Sequence, residues 1–355
     1  MEAQANRVSP ETIAATHSTM AIRLQDIAND LNLSKMTISK VLRGQTDVSA
    51  ETKARVLKRM KELNYRPNIS ARSLRTGQTY SVGIVVPSLS DPAVGLIVKG
   101  INAVFRLAKY SLVLSSVDGD AEMEERELEL HLSRQVDALM ILSGSDTSNV
   151  PQALTTATVP LIYIGPCPPR LSRPSVGLRE DEVGRIAADY LLKRRCKRLV
   201  YFRGPRTAVA DQRFAGFLDA TRKAGIAMKQ EWIIETQPGE AEYRSGFNVM
   251  RRLAEGRLRP EGVAAYTDLL AAGARDGAIA AGLQVPQHLQ IIGCGNLASV
   301  CETGTELTSI DLAHEEIGRK AARLVLRRIE DKGETAARSV TLSPKVLQRQ
   351  STLIS

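Results

Sequence analysis

The chain has 355 residues, a formal net charge of +9 at pH 7 and 4 cysteines. That length allows a small domain beside a body too large for one simple core, so two body lobes are expected. Met1 to Met20 is polar with no signal-like apolar stretch, no run is long enough to cross a bilayer, and Cys167, Cys196, Cys294 and Cys301 show no CxxC spacing; these features argue against secretion, membrane insertion and a metal or disulfide framework, and predict a cytoplasmic protein with reduced thiols and no cofactor.

Residues 1–21 read as a disordered extension. From Ile22 the pattern becomes helical, with Leu24, Ile27, Ala28 and Leu31 at the i, i+3, i+4, i+7 spacing of an amphipathic helix. Asn32 and Leu33 make a tight connection, and Ser34 is a good N-cap for a second helix starting near Lys35. Ile38, Val41 and Leu42 fall on the inner face of that helix, leaving Lys35, Met36, Thr37, Ser39, Lys40 and Arg43 outward or at its start. Ser49 caps a third helix, with Glu51 in its first turn and Val56, Met60 and Leu63 closing a minimal core. Two short helices joined by a tight turn, with a third across them, form a helix-turn-helix. Charge follows the same division: residues 22–77 hold 12 Lys+Arg against 5 Asp+Glu, leaving 36 against 34 for the rest of the chain. Positive charge concentrated at one end predicts a polyanionic partner and salt-sensitive binding.

Beyond Gln78, short apolar runs alternate with helical stretches. SVGIVVP, YSLVLSSV, DALMIL, PLIYIG, KRLVYF, EGVAAY, LQIIGC and LTSIDL read as strands; PAVGLIVKGINAVFRLA, AEMEERELELHLS, EDEVGRIAADYLLK, DQRFAGFLDATRKAG, YRSGFNVMRRLAEG and DLLAAGARDGAIAAG read as helices, followed by a last helix after His314. Such alternation predicts an α/β body of doubly wound parallel sheets with helices on both faces, binding ligands beyond the carboxyl ends of the strands. Asp91 before Pro92 is a cap followed by the residue best suited to the first helical position. No phosphate loop, nucleophile elbow or HExxH is present, and GCG at Gly293 to Gly295 lacks the third glycine of a dinucleotide site, so the sequence does not read as an enzyme.

LQDIANDLNLSKMTISKVL, VSAETKARVLKRMKELNYRPN and NISARSLRTGQT together resemble the DNA-binding head of the lactose/galactose repressor family of bacterial transcription regulators, and the likeness continues at lower density to RQST near the C-terminus. The resemblance implies that Lys35, Met36 and Lys40 read base edges in the major groove while Thr37, Ser39 and Arg43 position phosphates. Arg23 stands where the family usually has a Thr cap and is placed to meet a phosphate. Leu24, Ser34, Tyr65, Asn68 and Ala71 also fall at DNA-contacting positions. Asn68 to Arg75 resembles the hinge helix that forms against DNA, and Leu74 the residue that wedges into the minor groove. The implied organisation is a helix-turn-helix domain over 22–67, a hinge and linker over 68–78, and a two-lobed periplasmic-binding-protein-like body over 79–355. Chain crossovers are expected near Pro160 to Arg179 and Leu289 to Leu312.

By the same resemblance, Arg213 is the leading effector donor, with forked hydrogen bonds to hydroxyls or carboxylates. Of Thr267 and Asp268, one is implied to contact effector and one to cap a helix. Asn296, Asp146 and His314 complete the candidate set. The chain departs from the family at Ala93 and Val94, where many members place aromatic rings, at Arg179 and Glu180, which replace a common Asp-Asn pair, and at Gly295 and Asn296, which replace a pair of acids. Loss of acids and gain of Arg179 tilt the expected ligand from a sugar toward a sugar acid. The partners implied are a palindromic double-stranded DNA operator, a small effector and a second copy of the chain, with no membrane; a dimer is favoured over a tetramer. The alternatives are a nucleoside-type co-repressor-dependent regulator and an effector-independent architectural DNA-bending protein. If Leu74 is a wedge, Leu74→Ala will reduce DNA bending and specific affinity while nonspecific binding changes little; an unaltered bend angle in circular-permutation gel shifts refutes the assignment.

Overall fold

The computed structural model describes residues 22–42, 45–65, 73, 77–142, 150–236, 241–256, 259–331 and 338–353. The expected extension, Arg43, Asp146 and the hinge residues Asn68, Ala71 and Leu74 lie outside these. The chain divides into two compact units, Met1–Gly77 and Gln78–Ser355.

The first unit consists of α1 (Leu24–Asp30), α2 (Lys35–Leu42) and α3 (Ala50–Glu62). Ile27, Ala28, Ile38, Val41, Val56 and Met60 form its buried core, with Leu24, Leu31, Leu33, Leu63 and Tyr65 packed around them. Both expected caps are formed: Ser34 Oγ accepts from the Thr37 amide at 3.0 Å and Ser49 Oγ from the Thr52 amide at 3.2 Å. At α1 the missing Thr is offset differently, because the Arg23 amide donates to Asp26 Oδ2 at 2.7 Å. Arg59 of α3 pairs with Asp30 of α1 and tethers the two helices. One assignment changes: Leu42 is 37% exposed instead of inward, because the single turn of core on α2 is filled by Ile38 and Val41.

The second unit contains two six-stranded sheets. The first, in order β11-β5-β4-β3-β1-β2, is built from β1 (Ser81–Val86), β2 (Ser111–Ser116), β3 (Ala138–Leu142), β4 (Leu161–Ile164), β5 (Ser175–Leu178) and β11 (Val340–Leu342). The second, β12-β10-β9-β8-β6-β7, uses β6 (Leu199–Arg203), β7 (Ile233–Glu235), β8 (Gly262–Ala265), β9 (Gln290–Cys294), β10 (Thr308–Asp311) and β12 (Lys345–Leu347). All pairings are parallel except β10 with β12. The helices are α4 (Pro92–Ala108), α5 (Ala121–Ser133), α6 (Gln152–Thr156), α7 (Glu180–Lys193), α8 (Ala208–Lys223), α9 (Glu242–Glu255), α10 (Asp268–Ala280), α11 (Ala298–Cys301) and α12 (His314–Glu330).

Each sheet is covered on both faces, as parallel sheets require. In the first lobe, α4 and α12 bury one face around Ile84, Ile101, Phe105 and Val325, while α5 and α6 bury the other around Leu128, Leu139 and Leu154. In the second lobe, α9 and α10 cover a core around Phe202, Met250 and Ile291, and α7 and α8 one around Leu191, Tyr201 and Phe217. Among the described residues, the chain passes between lobes three times. It crosses from β5 to α7, from β10 to α12, and from β11 to β12. The first lies at the end of the expected 160–179 stretch. The second falls just beyond Leu312, because β9 and β10 both belong to the second sheet, and the third was not expected. Four strands (β5, β7, β11 and β12) also escaped sequence reading, because they are short, lie at or next to a sheet edge and lack the continuous buried run of the central strands.

The first lobe buries an unusual group. His131 of α5 is 1% exposed, with Nε2 3.1 Å from Ser115 Oγ, which also donates to Glu127 Oε2 at 2.7 Å. Its Nδ1 is buried without a hydrogen-bond partner, and a Cβ on Gly83 would stand 2.8 Å from it. Burial lowers the His131 pKa, against the opposing pull of Glu127. A lowered native pKa means that the imidazole is folded in its neutral form. Its contribution is intact above the ordinary value of about 6.5 and is lost as pH falls below that value, at up to about 1.4 kcal/mol per pH unit. His131→Leu is expected to flatten the decline of the urea midpoint between pH 7.5 and 5.5; a variant that declines as steeply as the parent contradicts this.

Candidate functional sites in the head and the body

In the head, the short turn after α1 presents the start of α2 outward. Lys35 is exposed and Met36 is 67% exposed, so a cation and a soft apolar tip stand together at the helix start. Thr37 is half-buried, with Oγ1 2.9 Å from Ser34 Oγ. Ser39 is half-buried one face round. Lys40 pairs with Asp47, from the turn between α2 and α3. That pair is partly exposed, of a kind contributing at most about 1 kcal/mol, so a phosphate or base edge can compete with Asp47 for the ammonium. Leu24 and Tyr65 turn their side chains toward the head core, and the Tyr65 pKa is raised by burial. Their side chains are structural here, in contrast to the exposed Lys35 and Met36.

In the body, the carboxyl ends of the second sheet converge with the crossovers. The expected effector arginine is not open. Arg213 is 8% exposed, and its Nε donates to Glu180 Oε2 at 2.6 Å. Nη1 reaches the Tyr266 carbonyl at 3.3 Å and Cys294 Sγ at 3.6 Å, while the guanidinium lies 4.8 Å from the Tyr266 ring centroid. Burial pushes the Arg213 pKa down, but the Glu180 charge and hydrogen bond overcome it and leave the pKa well above the usual value. The void beside the guanidinium, lined by Tyr201, Tyr266, Cys294 and Ile310, is about 10 Å³, scarcely room for one water. Local packing sets this geometry. A Cβ on Gly184 would lie 1.7 Å from the Arg213 carbonyl oxygen and one on Gly216 1.9 Å from that of Asp181, so only glycine lets α7 and α8 approach this closely.

Thr267 is the cap of α10, its Oγ1 accepting from the Leu270 amide at 3.3 Å while donating to Glu242 Oε2 at 2.6 Å. Asp268 is fully buried, its Oδ1 accepting from Ser309 Oγ at 2.6 Å and its Oδ2 from the Leu297 amide at 2.7 Å. Burial raises its pKa against these bonds. Both oxygens therefore tie α10 to β10 and to the turn that leads from β9 into α11, which corrects the reading of Asp268 as an effector contact. Asn296 takes a left-handed φ of 54°, and its Oδ1 accepts from Arg349 Nη2 at 2.8 Å, so it too is a structural tie. His314 opens α12 with Nδ1 buried and unpartnered. Burial, reinforced by the Arg213 charge, pushes its pKa down to about 4, so the imidazole is neutral at physiological pH.

Three acids that sequence reading did not count join this region. Glu180, one of the two residues that depart from the expected Asp-Asn pair, lies against Arg213 and is 6% exposed. Glu242 of α9 has its pKa raised by burial, with a contribution from Asp91. Asp91 caps α4 of the other lobe, accepting from the Ala93 amide at 2.8 Å, and also raises the Tyr266 pKa, though less than burial does. The charge of Asp91 in one lobe is thus felt by Glu242 in the other. Conversely, Arg179 is exposed and pairs with Asp181 at 2.9 Å, and Val94 is buried in the first lobe's core. The argument for an acidic ligand loses both its premises: the acid is supplied by Glu180, and Arg179 turns to its neighbour.

Residues 23–68 match the family model described as bacterial regulatory proteins, lacI family, and residues 188–352 the periplasmic binding protein-like domain. The chain is 28% identical over 336 residues to catabolite control protein A of Priestia megaterium, covering 94% of this chain and 100% of that protein. It is 29% identical over 335 residues to the HTH-type transcriptional repressor PurR of Mannheimia succiniciproducens, covering 92% and 98%. Among solved structures, the lac repressor dimer bound to operator and the anti-inducer ONPF has the same fold, with a TM-score of 0.82 at 23% identity over 94% of this chain and 99% of that one.

Glu180→Gln, which strands the Arg213 charge in the interior, is expected to cost about 3 kcal/mol in urea unfolding, and adding Arg213→Met should recover part of it. Equal stability of the single variant and the parent contradicts the pairing.

Proposed function

The chain belongs to the lacI family of bacterial regulatory proteins and is a DNA-binding transcription regulator of the repressor type, and from that premise we propose that it acts as a homodimer on a palindromic operator under the control of a small neutral carbohydrate-type effector held between its lobes. In this reading Lys35 and Met36 supply the main base-edge contacts, and Lys40 joins them by exchanging Asp47 for DNA. Thr37, Ser39 and Arg43 orient the phosphates. A symmetric pair of heads requires a symmetric site.

The observation that favours a neutral ligand is the charge balance around Arg213. Glu180 already compensates the one guanidinium, and His314 is uncharged at neutral pH. An incoming carboxylate meets an arginine whose charge is already compensated. Hydroxyls, which both donate and accept, suit such a set better. Ligand that binds between the lobes acts on operator affinity only through its differential affinity for the two lobe arrangements.

Fluorescence anisotropy on a palindromic site from the protein's own promoter region, at fixed physiological salt, against neutral sugars, sugar acids and nucleosides, tests this directly. A neutral sugar should shift operator affinity, release marking an inducer and tightening a co-repressor. The paired variant Glu180→Gln/Arg213→Met, which removes the guanidinium without stranding its partner's charge, should abolish the shift and leave operator binding intact. A response confined to sugar acids or nucleosides contradicts the neutral-ligand reading.

A further inference from the structure

Away from the region between the lobes, the loop 165–174 that joins β4 to β5 folds against the start of β11 and forms one side of an open surface pocket of about 420 Å³. Cys167, Ser172, Arg173, Ser175 and Ser339 supply its polar wall, with Pro168, Pro169 and Pro174 as stiff supports. Arg173 is half-buried, its Nε is covered without a hydrogen-bond partner, and among the described residues no carboxylate pairs with it. Glu124 and Arg173 act in opposite directions on the Tyr163 hydroxyl, whose pKa is governed by burial. Half-burying a guanidinium without a counter-charge is unfavourable unless something supplies one.

The hydroxyls fit the same demand. The Ser175 amide donates to Ser339 Oγ at 3.1 Å, and Ser175 Oγ donates to the same oxygen at 3.2 Å. Ser339 Oγ therefore has its acceptor side taken and its own proton available to a ligand. Ser172 is exposed at the rim. A guanidinium without a carboxylate partner and two hydroxyls with free protons, Ser339 and Ser172, with no carboxylate in the wall, make an arrangement that recognises oxyanions.

We propose that this pocket is an oxyanion site, taking the phosphate or carboxylate group of a small metabolite. It is separate from the Arg213 region in both location and charge. Its position gives occupancy a consequence. Ser175 begins β5, which runs directly into the crossover to α7 and Glu180, and Ser339 precedes β11, which runs into the crossover to β12. An anion bridging Arg173 and Ser339 ties together two of the three strands by which the lobes are joined, and so acts as a second input on their arrangement.

Cys167 provides a local reporter, because it is half-buried in this wall while Cys196, Cys294 and Cys301 are buried elsewhere. The experiment measures alkylation of Cys167 by N-ethylmaleimide in the full-length protein by peptide mass spectrometry, with inorganic phosphate or acetate replacing chloride at constant ionic strength. The expected result is saturable protection by one of the two anions, reaching about tenfold at ten times the half-protecting concentration. Which anion protects more identifies the group the site prefers. Protection should vanish in Arg173→Met, weaken in Ser339→Ala, and persist in the paired variant Glu180→Gln/Arg213→Met, which separates this site from the effector reading. Equal alkylation rates in all three salts, or protection surviving in both Arg173→Met and Ser339→Ala, overturns the proposal.

Discussion

The body is organised around the ion pair between Glu180 and Arg213. The two residues sit on different helices, α7 and α8, and meet only because Gly184 and Gly216 let the backbones touch where any Cβ would collide. Glu180 is the first helical residue after the β5 crossover, so the pair also fixes where the chain enters the second lobe. A buried pair of this kind is not a large source of net stability, since desolvation offsets most of its attraction. Its consequence is chemical. A guanidinium that the sequence presents as a free donor is held, neutralised and shielded, and any ligand must approach a surface that already contains its counter-charge.

That constraint extends to the neighbouring acids. Glu242 in one lobe feels the charge of Asp91 in the other, so movement of one lobe against the other changes the energy of these carboxyl groups. His314, neutral and with one ring nitrogen unpartnered, stands at the start of the helix that returns to the first lobe. The lobes are therefore joined at three backbone crossings and flanked by groups whose energies depend on closure. A bistable arrangement of this type is what an effector-controlled regulator needs, and it underlies the proposal made for this chain.

Much of this was legible in the sequence. The helix-turn-helix follows from apolar spacing and from Ser34 and Ser49, whose caps form as expected. The long body helices were readable because their periodicity persists over several turns, with 92–108, 121–133 and 180–193 matching their observed bounds. Short edge and crossover strands were not, since they lack the continuous buried run of the central strands. Site residues failed for another reason. Asp268 and Asn296 sit at the right strand ends, but their side chains are consumed by Ser309, the Leu297 amide and Arg349, partners distant in sequence. Glu180 was visible as a substitution, yet its role depended on a pairing that only tertiary packing reveals.

The proposed link between the body and the head is tested most directly by thermodynamic reciprocity. Isothermal titration calorimetry would measure the affinity of the responsive sugar for the free protein and for the protein saturated with operator DNA. The account predicts that operator changes sugar affinity by the same factor by which sugar changes operator affinity. Identical sugar affinities in the two titrations, alongside an observed shift in operator binding, would contradict it.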